Sequence, residues 1–135
     1  MTDTLYREEL MEHYKHPQNW GRLTNKSGSV SEVNPLCGDE ITVDVLVEED
    51  VLKDISFTAH GCAISIASAS IFFDKVKGKK LEDIKSLQKK DLLDQINPNL
   101  TLSRIKCATL GFNALSRLML EIEARGTPKE KGFYV

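Results

Sequence analysis

Ile41, Val43, Val45 and Val47 alternate with Glu40, Thr42, Asp44 and Leu46. Side chains of an extended chain point to opposite faces in turn, so this period of two specifies a strand with one buried face. From Ala63 the period changes: Ile66, Ala67, Ala69, Phe73 and Val76 recur at helical spacing, and Gly78 stands just past the end of that run. A half-buried strand followed closely by an apolar helix restricts the chain to folds in which sheet and helix share one core.

The remaining segments extend this pattern. Glu48, Glu49 and Asp50 make a turn into a second strand over 51–59, with Ile55, Phe57 and Ala59 inward, and 29–33 is a further strand candidate. A helix is expected over 5–15, with Asp3 or Thr4 as cap, Tyr6, Leu10, Met11 and Tyr14 at helical spacing, and Pro17 as its stop. A polar loop follows over 21–28. Short helices are expected over 81–87 and 90–96, with Pro98 breaking the chain. A last, long helix opens at Thr101 or Ser103, carries Ile105, Ala108, Phe112, Leu115, Met119 and Ile122 on one stripe, and stops at Arg125, Gly126 and Pro128. The expectation is an α+β fold: a small antiparallel sheet of about three strands packed against helices, with a long C-terminal helix. A chain of 135 residues suits a single domain over 1–135, with 127–135 as a loose tail.

Eighteen Lys and Arg against 20 Asp and Glu give a net charge of -2, without the basic excess of a nucleic-acid binder. No apolar run approaches the roughly 20 residues needed to cross a bilayer. Asp3, Glu8 and Glu9 occupy the place of a basic leader region, so neither a signal peptide nor a membrane is expected, and the location expected is cytoplasmic.

Chemistry concentrates at three cysteines, Cys37, Cys62 and Cys107. No two have the close spacing of a zinc knuckle, and on count alone three small buried packing residues would account for them. Their settings point elsewhere. Cys37 lies in Asn34-Pro35-Leu36-Cys37-Gly38-Asp39, a turn punctuated by proline and glycine. Cys62 follows Gly61 at the junction of strand and helix, where the positive helix end favours a thiolate. Cys107 is flanked by Lys106, with Arg104 three residues before it. Asp39 is the natural fourth ligand, and three thiolates with one carboxylate suit zinc or an iron–sulfur cluster rather than magnesium or calcium. His13 and His16 are read as surface or packing residues; His60 stands close to Cys62 in the chain. Ser65, Ser68 and Ser70 are read as small packing residues or caps, and the lysines of 77–80 as a solvated turn.

At these residues the sequence resembles the IscU/SufU family of iron–sulfur cluster assembly proteins, which is also similar to the N-terminal domain of NifU. The likeness spans 6–123. It rests on His13-Tyr14 with Pro17, Asn19 and Gly21; on Cys37-Gly38-Asp39; on Gly61-Cys62 with Ser65, Ala67, Ser68, Ala69 and Ser70; on Val76-Lys77-Gly78-Lys79; and on Arg104 with Lys106-Cys107-Ala108 and Leu110. The resemblance implies a scaffold that accepts sulfur, as a cysteine persulfide, from a pyridoxal-phosphate-dependent cysteine desulfurase. The scaffold then builds a cluster, of 2Fe–2S type, and passes it to recipient apoproteins or carriers. It also implies that Cys37, Asp39, Cys62 and Cys107 are the metal or cluster ligands. Cys37, in its glycine-flanked loop, is the expected first persulfide acceptor. Such a protein is a scaffold rather than a catalyst.

Two branches stay open. IscU proteins place a histidine before the third cysteine, where this chain has Lys106, and 104–108 looks like SufU. SufU proteins usually carry an insertion between the second and third cysteines, for which there is little room here. The Pro-Pro-Val-Lys chaperone-binding motif of IscU is absent, with 97–103 in its place, which argues against a dedicated Hsp70-type chaperone. The alternatives are a cluster scaffold and a zinc-dependent sulfur relay that holds no cluster.

Overall fold

The computed structural model describes residues 3–35, 38–96 and 102–125. After helix α1 (Asp3–Lys15), strands β1 (Gly28–Asn34), β2 (Asp39–Glu48) and β3 (Val51–His60) form an antiparallel sheet in chain order. Helices α2 (Ala63–Val76), α3 (Leu81–Lys85), α4 (Lys89–Ile96), α5 (Leu102–Ala108) and α6 (Leu110–Arg125) follow.

The β2–β3 turn sets the register. Glu48 pairs with Val51, and Glu49 and Asp50 both take positive φ, 53° and 63°, as a two-residue hairpin turn of matching twist requires. Asp50 is a residue type that tolerates this region, whereas Glu49 costs about 1 kcal/mol of backbone strain there. Just beyond the turn, Val47 pairs with Leu52 but Leu46 pairs with Asp54, so Lys53 is an extra residue on β3. This bulge reconciles an irregular pattern. Leu52 and Ile55 are three apart, which a regular strand would send to opposite faces, yet both are 1% exposed. Beyond the bulge, Val45 sits opposite Ile55, Val43 opposite Phe57 and Ile41 opposite Ala59. Leu52 is thus a core residue that simple alternation did not single out.

That apolar face packs on α2 and α6. Phe73 of α2 meets Phe57 edge-on at 5.3 Å between ring centroids, and Trp20 meets the other side of Phe57 at the same distance. Residues 19–21 run along the free edge of β3: Gly21 N–H donates to Phe57 O at 2.8 Å and Phe57 N–H to Asn19 O at 2.9 Å.

The second face of the sheet departs from simple alternation at Asp44. It belongs to the polar set of β2, yet it is fully buried. Arg22 Nε donates to its Oδ2 at 2.7 Å, Arg22 Nη2 to Oδ1 at 3.1 Å, Leu23 N–H to Oδ2 at 3.0 Å and Ser29 Oγ to Oδ1 at 2.6 Å. The polar 21–28 segment therefore covers this face around one carboxylate. Burial pushes the Asp44 pKa up, but the hydrogen bonds from Arg22, Ser29 and Leu23 N–H, with the Arg22 charge, outweigh it and hold the pKa below the ordinary value.

Two helical expectations change. The last helix is interrupted at Thr109, giving α5 and α6 instead of one rod. Thr109 Oγ1 donates to Ile105 O at 2.8 Å, the back-bonding by which a threonine hydroxyl bends a helix. On α1, Leu10 packs against the core, but Met11 and Tyr14 are exposed. The expected caps and stops at Thr101, Gly126 and Pro128, and the tail over 127–135, lie outside the described residues.

Replacing the Asp44 carboxylate tests the second face. Asp44→Asn should lower stability at pH 7 by about 2 kcal/mol through loss of charge-assisted hydrogen bonds. A depressed folded-state pKa means that the contribution is complete above the unfolded carboxylate pKa of about 4 and is lost as the pH falls through the folded-state value. Urea unfolding should therefore show the two proteins converging in strongly acidic solution, and a gap that persists unchanged there would refute this assignment.

Candidate metal centre

The β2–β3 register builds the site. Glu40 faces His60, so Asp39, the first residue of β2, lies beside the Gly61–Cys62 junction that leaves β3. Cys62 is the N-cap of α2, with φ -75° and ψ 165°, and its side chain caps none of the helix's amides. Its thiol is thus left to face Asp39. Cys107, near the end of α5, arrives from the other end of the chain because α5 packs on α2.

One ligand atom from each of Asp39, Cys62 and Cys107 lies within 4.8 Å of the others. Asp39 and Cys107 are buried, at 4% and 6% exposure, and Cys62 is half-buried. A tetrahedral zinc with Zn–S bonds of about 2.3 Å separates two sulfurs by about 3.8 Å, so side-chain adjustments alone would bring these donors onto one ion. Among the described residues, two sulfurs and one carboxylate oxygen form a donor set that fits zinc or iron and does not suit a hard, oxygen-seeking ion.

Asp39 is held from two sides. A Cβ on Gly61 would stand 2.6 Å from Asp39 Cγ and 2.7 Å from Oδ1, so only glycine lets the carboxylate lie there. On the other side, Ser65 Oγ donates to Oδ2 at 2.5 Å and the Cys62 thiol donates to the same oxygen at 3.5 Å. Ser65 Oγ and Cys62 Sγ are 3.7 Å apart. From the sequence, Ser65 is expected to pack or to cap α2. Its position three residues after the N-cap, where a side chain commonly bonds back to the helix start, was the available signal; here that hydroxyl turns across to β2 instead.

Cys37 lies outside the described residues. Its neighbour Gly38 has φ 76° and donates its N–H to Asn34 O at 2.7 Å, closing the connection between paired residues Asn34 and Asp39. Beside this connection a cleft of about 350 Å³ is lined by Asn34, Pro35, Ile105, Lys106, Thr109 and Asn113, among others. His60 is exposed and does not belong to the donor group, and Lys106 is exposed. His13 is a packing residue: its Nδ1 is 2.7 Å from Ser70 Oγ, which also accepts the Gln18 N–H at 2.7 Å and ties α1 to α2.

Residues 5–127 match the family model described as the NifU-like N terminal domain. Among curated relatives, the chain is 37% identical over 147 aligned positions to the zinc-dependent sulfurtransferase SufU of Bacillus subtilis, covering 96% of this chain and 94% of that one. It is 28% identical over 128 positions to the iron–sulfur cluster assembly scaffold protein IscU of Escherichia coli K12, covering 92% and 98%. The crystal structure of FiSufU from Fervidobacterium islandicum AW-1 superposes with a TM-score of 0.72 at 25% identity, covering 88% of this chain and 99% of that one. The N-terminal NifU-like protein of Brucella abortus shares the fold, with a TM-score of 0.76 at 18% identity over 90% and 96%. With the family match spanning nearly its whole length, the chain belongs to the NifU-like N-terminal domain family.

Proposed function

We propose that the chain is a single-domain iron–sulfur cluster assembly scaffold that accepts persulfide sulfur from a pyridoxal-phosphate-dependent cysteine desulfurase. It holds iron, zinc or a nascent 2Fe–2S cluster through Cys37, Asp39, Cys62 and Cys107, then delivers to recipient apoproteins or carriers. The observation that carries this reading is the convergence of Asp39, Cys62 and Cys107 on one partly buried point. Cys37, two residues before Asp39, completes the set. Neither Cys62 nor Cys107 is in a disulfide, in keeping with a reducing, cytoplasmic setting. No helix among the described residues is long and apolar enough to cross a membrane.

Cys37 is the proposed acceptor. Its thiolate attacks the outer sulfur of the desulfurase persulfide. A new sulfur–sulfur bond forms at Cys37, the old one breaks, and the desulfurase cysteine leaves as a thiolate. No net oxidation occurs, and the protein acts as acceptor and holder rather than as a catalyst. Zinc, when bound, keeps the ligand thiols from oxidising and adds folding free energy. The likeness to a zinc-dependent sulfurtransferase favours a second reading, in which the chain relays sulfur on Cys37, retains zinc and never holds a cluster.

Anaerobic reconstitution with iron, cysteine, a thiol reductant to bring the persulfide sulfur to sulfide, and desulfurase separates the two. The scaffold should develop visible sulfur-to-iron charge-transfer absorption that is lost in each of Cys37→Ser, Cys62→Ser and Cys107→Ser. A persulfide on Cys37 with only zinc retained would instead establish the relay, and no stimulation of the desulfurase would exclude both.

Asp39 is the harder, weaker ligand and is proposed as the exchangeable one. Asp39→Ala should weaken zinc binding without abolishing it, as measured by competition with a chromophoric chelator; complete loss would contradict exchangeability. Gly61→Ala should weaken zinc binding in the same assay and lower stability by about 1–3 kcal/mol, the usual cost of overpacking, because its Cβ displaces Asp39. An alanine variant that binds zinc as wild type does would show that the carboxylate can move aside at no cost.

A further inference from the structure

We infer that Ser65 is a positioning residue for the metal centre: its hydroxyl holds the Asp39 carboxylate in place for coordination. The inference rests on the proposal that Asp39 is a metal ligand, and it adds a residue to the site. Ser65 and Asp39 are both 4% exposed, and their side chains meet at 2.5 Å across the gap between α2 and β2. A buried carboxylate needs donors, and each of its oxygens can accept two hydrogen bonds. The oxygen that accepts from Ser65 also accepts from the Cys62 thiol, so a metal would take the place of the thiol's hydrogen bond. When an ion enters, the Cys62 proton at 3.5 Å leaves with thiolate formation, while the Ser65 hydroxyl keeps its bond. Gly61 leaves room for this arrangement, since a Cβ added there would stand 2.6 Å from Asp39 Cγ and 2.7 Å from Oδ1. The carboxylate thus lies in the space that a glycine leaves and is held there by the Ser65 hydroxyl.

Residues that hydrogen-bond a ligand, rather than the ion, commonly carry a ten- to hundredfold share of metal affinity. The same helix supplies a control. Ser68 is fully buried one turn on, and its Oγ has no hydrogen-bond partner among the described residues. Ser68→Ala therefore removes a buried hydroxyl from α2 without touching Asp39.

The test is zinc affinity, measured by chelator competition on the full-length protein, with thermal unfolding of the metal-free forms alongside. Ser65→Ala should bind zinc about 10–100-fold more weakly than wild type, Ser65→Thr should recover part of that loss, and Ser68→Ala should stay within about threefold of wild type. In an Asp39→Ala background, Ser65→Ala should produce no further loss, because the serine then has no carboxylate to hold. Equal affinity of Ser65→Ala and wild type would overturn the inference. So would equal losses in the two serine variants, or additive losses with Asp39→Ala, since both describe a general effect on α2. Failure of the wild-type protein to bind zinc or iron at all would refute the metal-centre proposal itself, an outcome distinct from these.

Discussion

The pairing of β2 with β3 is the constraint on which the site depends. Asp39 begins one strand and Cys62 follows the other, so their meeting is a matter of register. A slip of one residue in an antiparallel pair would turn every side chain of a strand to the wrong face. It would bury the polar set of β2 among the helices and move Asp39 away from the Gly61 junction. The extra residue at Lys53 sets this alignment, because it lets Leu52 and Ile55 share a face before Phe57 and Ala59 continue it. The apolar core and the donor cluster are two consequences of one register.

The helices complete what the sheet begins. α2 follows its N-cap Cys62, and near its other end Phe73 and Val76 are fully buried. Its first turn is therefore anchored by its last. On the two sides of the interruption at Thr109, α5 packs on α2 and carries Cys107 to the junction, while α6 covers the sheet with Leu115, Leu118 and Ile122 buried. Two buried donors, Asp39 and Cys107, stand beside the half-buried Cys62.

Much of this was readable from residue order. The alternation through Ile41, Val43, Val45 and Val47 reports directly on which face is dry, and the run from Ala63 to Val76 on a helix buried over most of its surface. Asp39, Cys62 and Cys107 were readable as candidates because glycines and element ends surround them. Other features were not readable. Asp44 resembled any water-facing strand residue, since its burial comes from a loop that returns across the sheet with Arg22 and Leu23. The stripe from Ile105 to Ile122 concealed a break at Thr109, because a bent helix keeps nearly the same periodicity as a straight one. Ser65 resembled its neighbours Ser68 and Ser70, and only the position of Asp39 distinguishes it.

Local patterning decided the elements, their dry faces and the residue types capable of binding a soft metal, because those depend on side-chain chemistry and short-range period alone. Three-dimensional packing decided which of those residues meet. Cys62 and Cys107 are far apart along the chain, and nothing in either neighbourhood encodes the distance between them. It emerges when strand register, the Lys53 bulge and the packing of α5 on α2 are satisfied together, since only then does the folded chain bring two sulfurs and an acidic oxygen within 4.8 Å of one another.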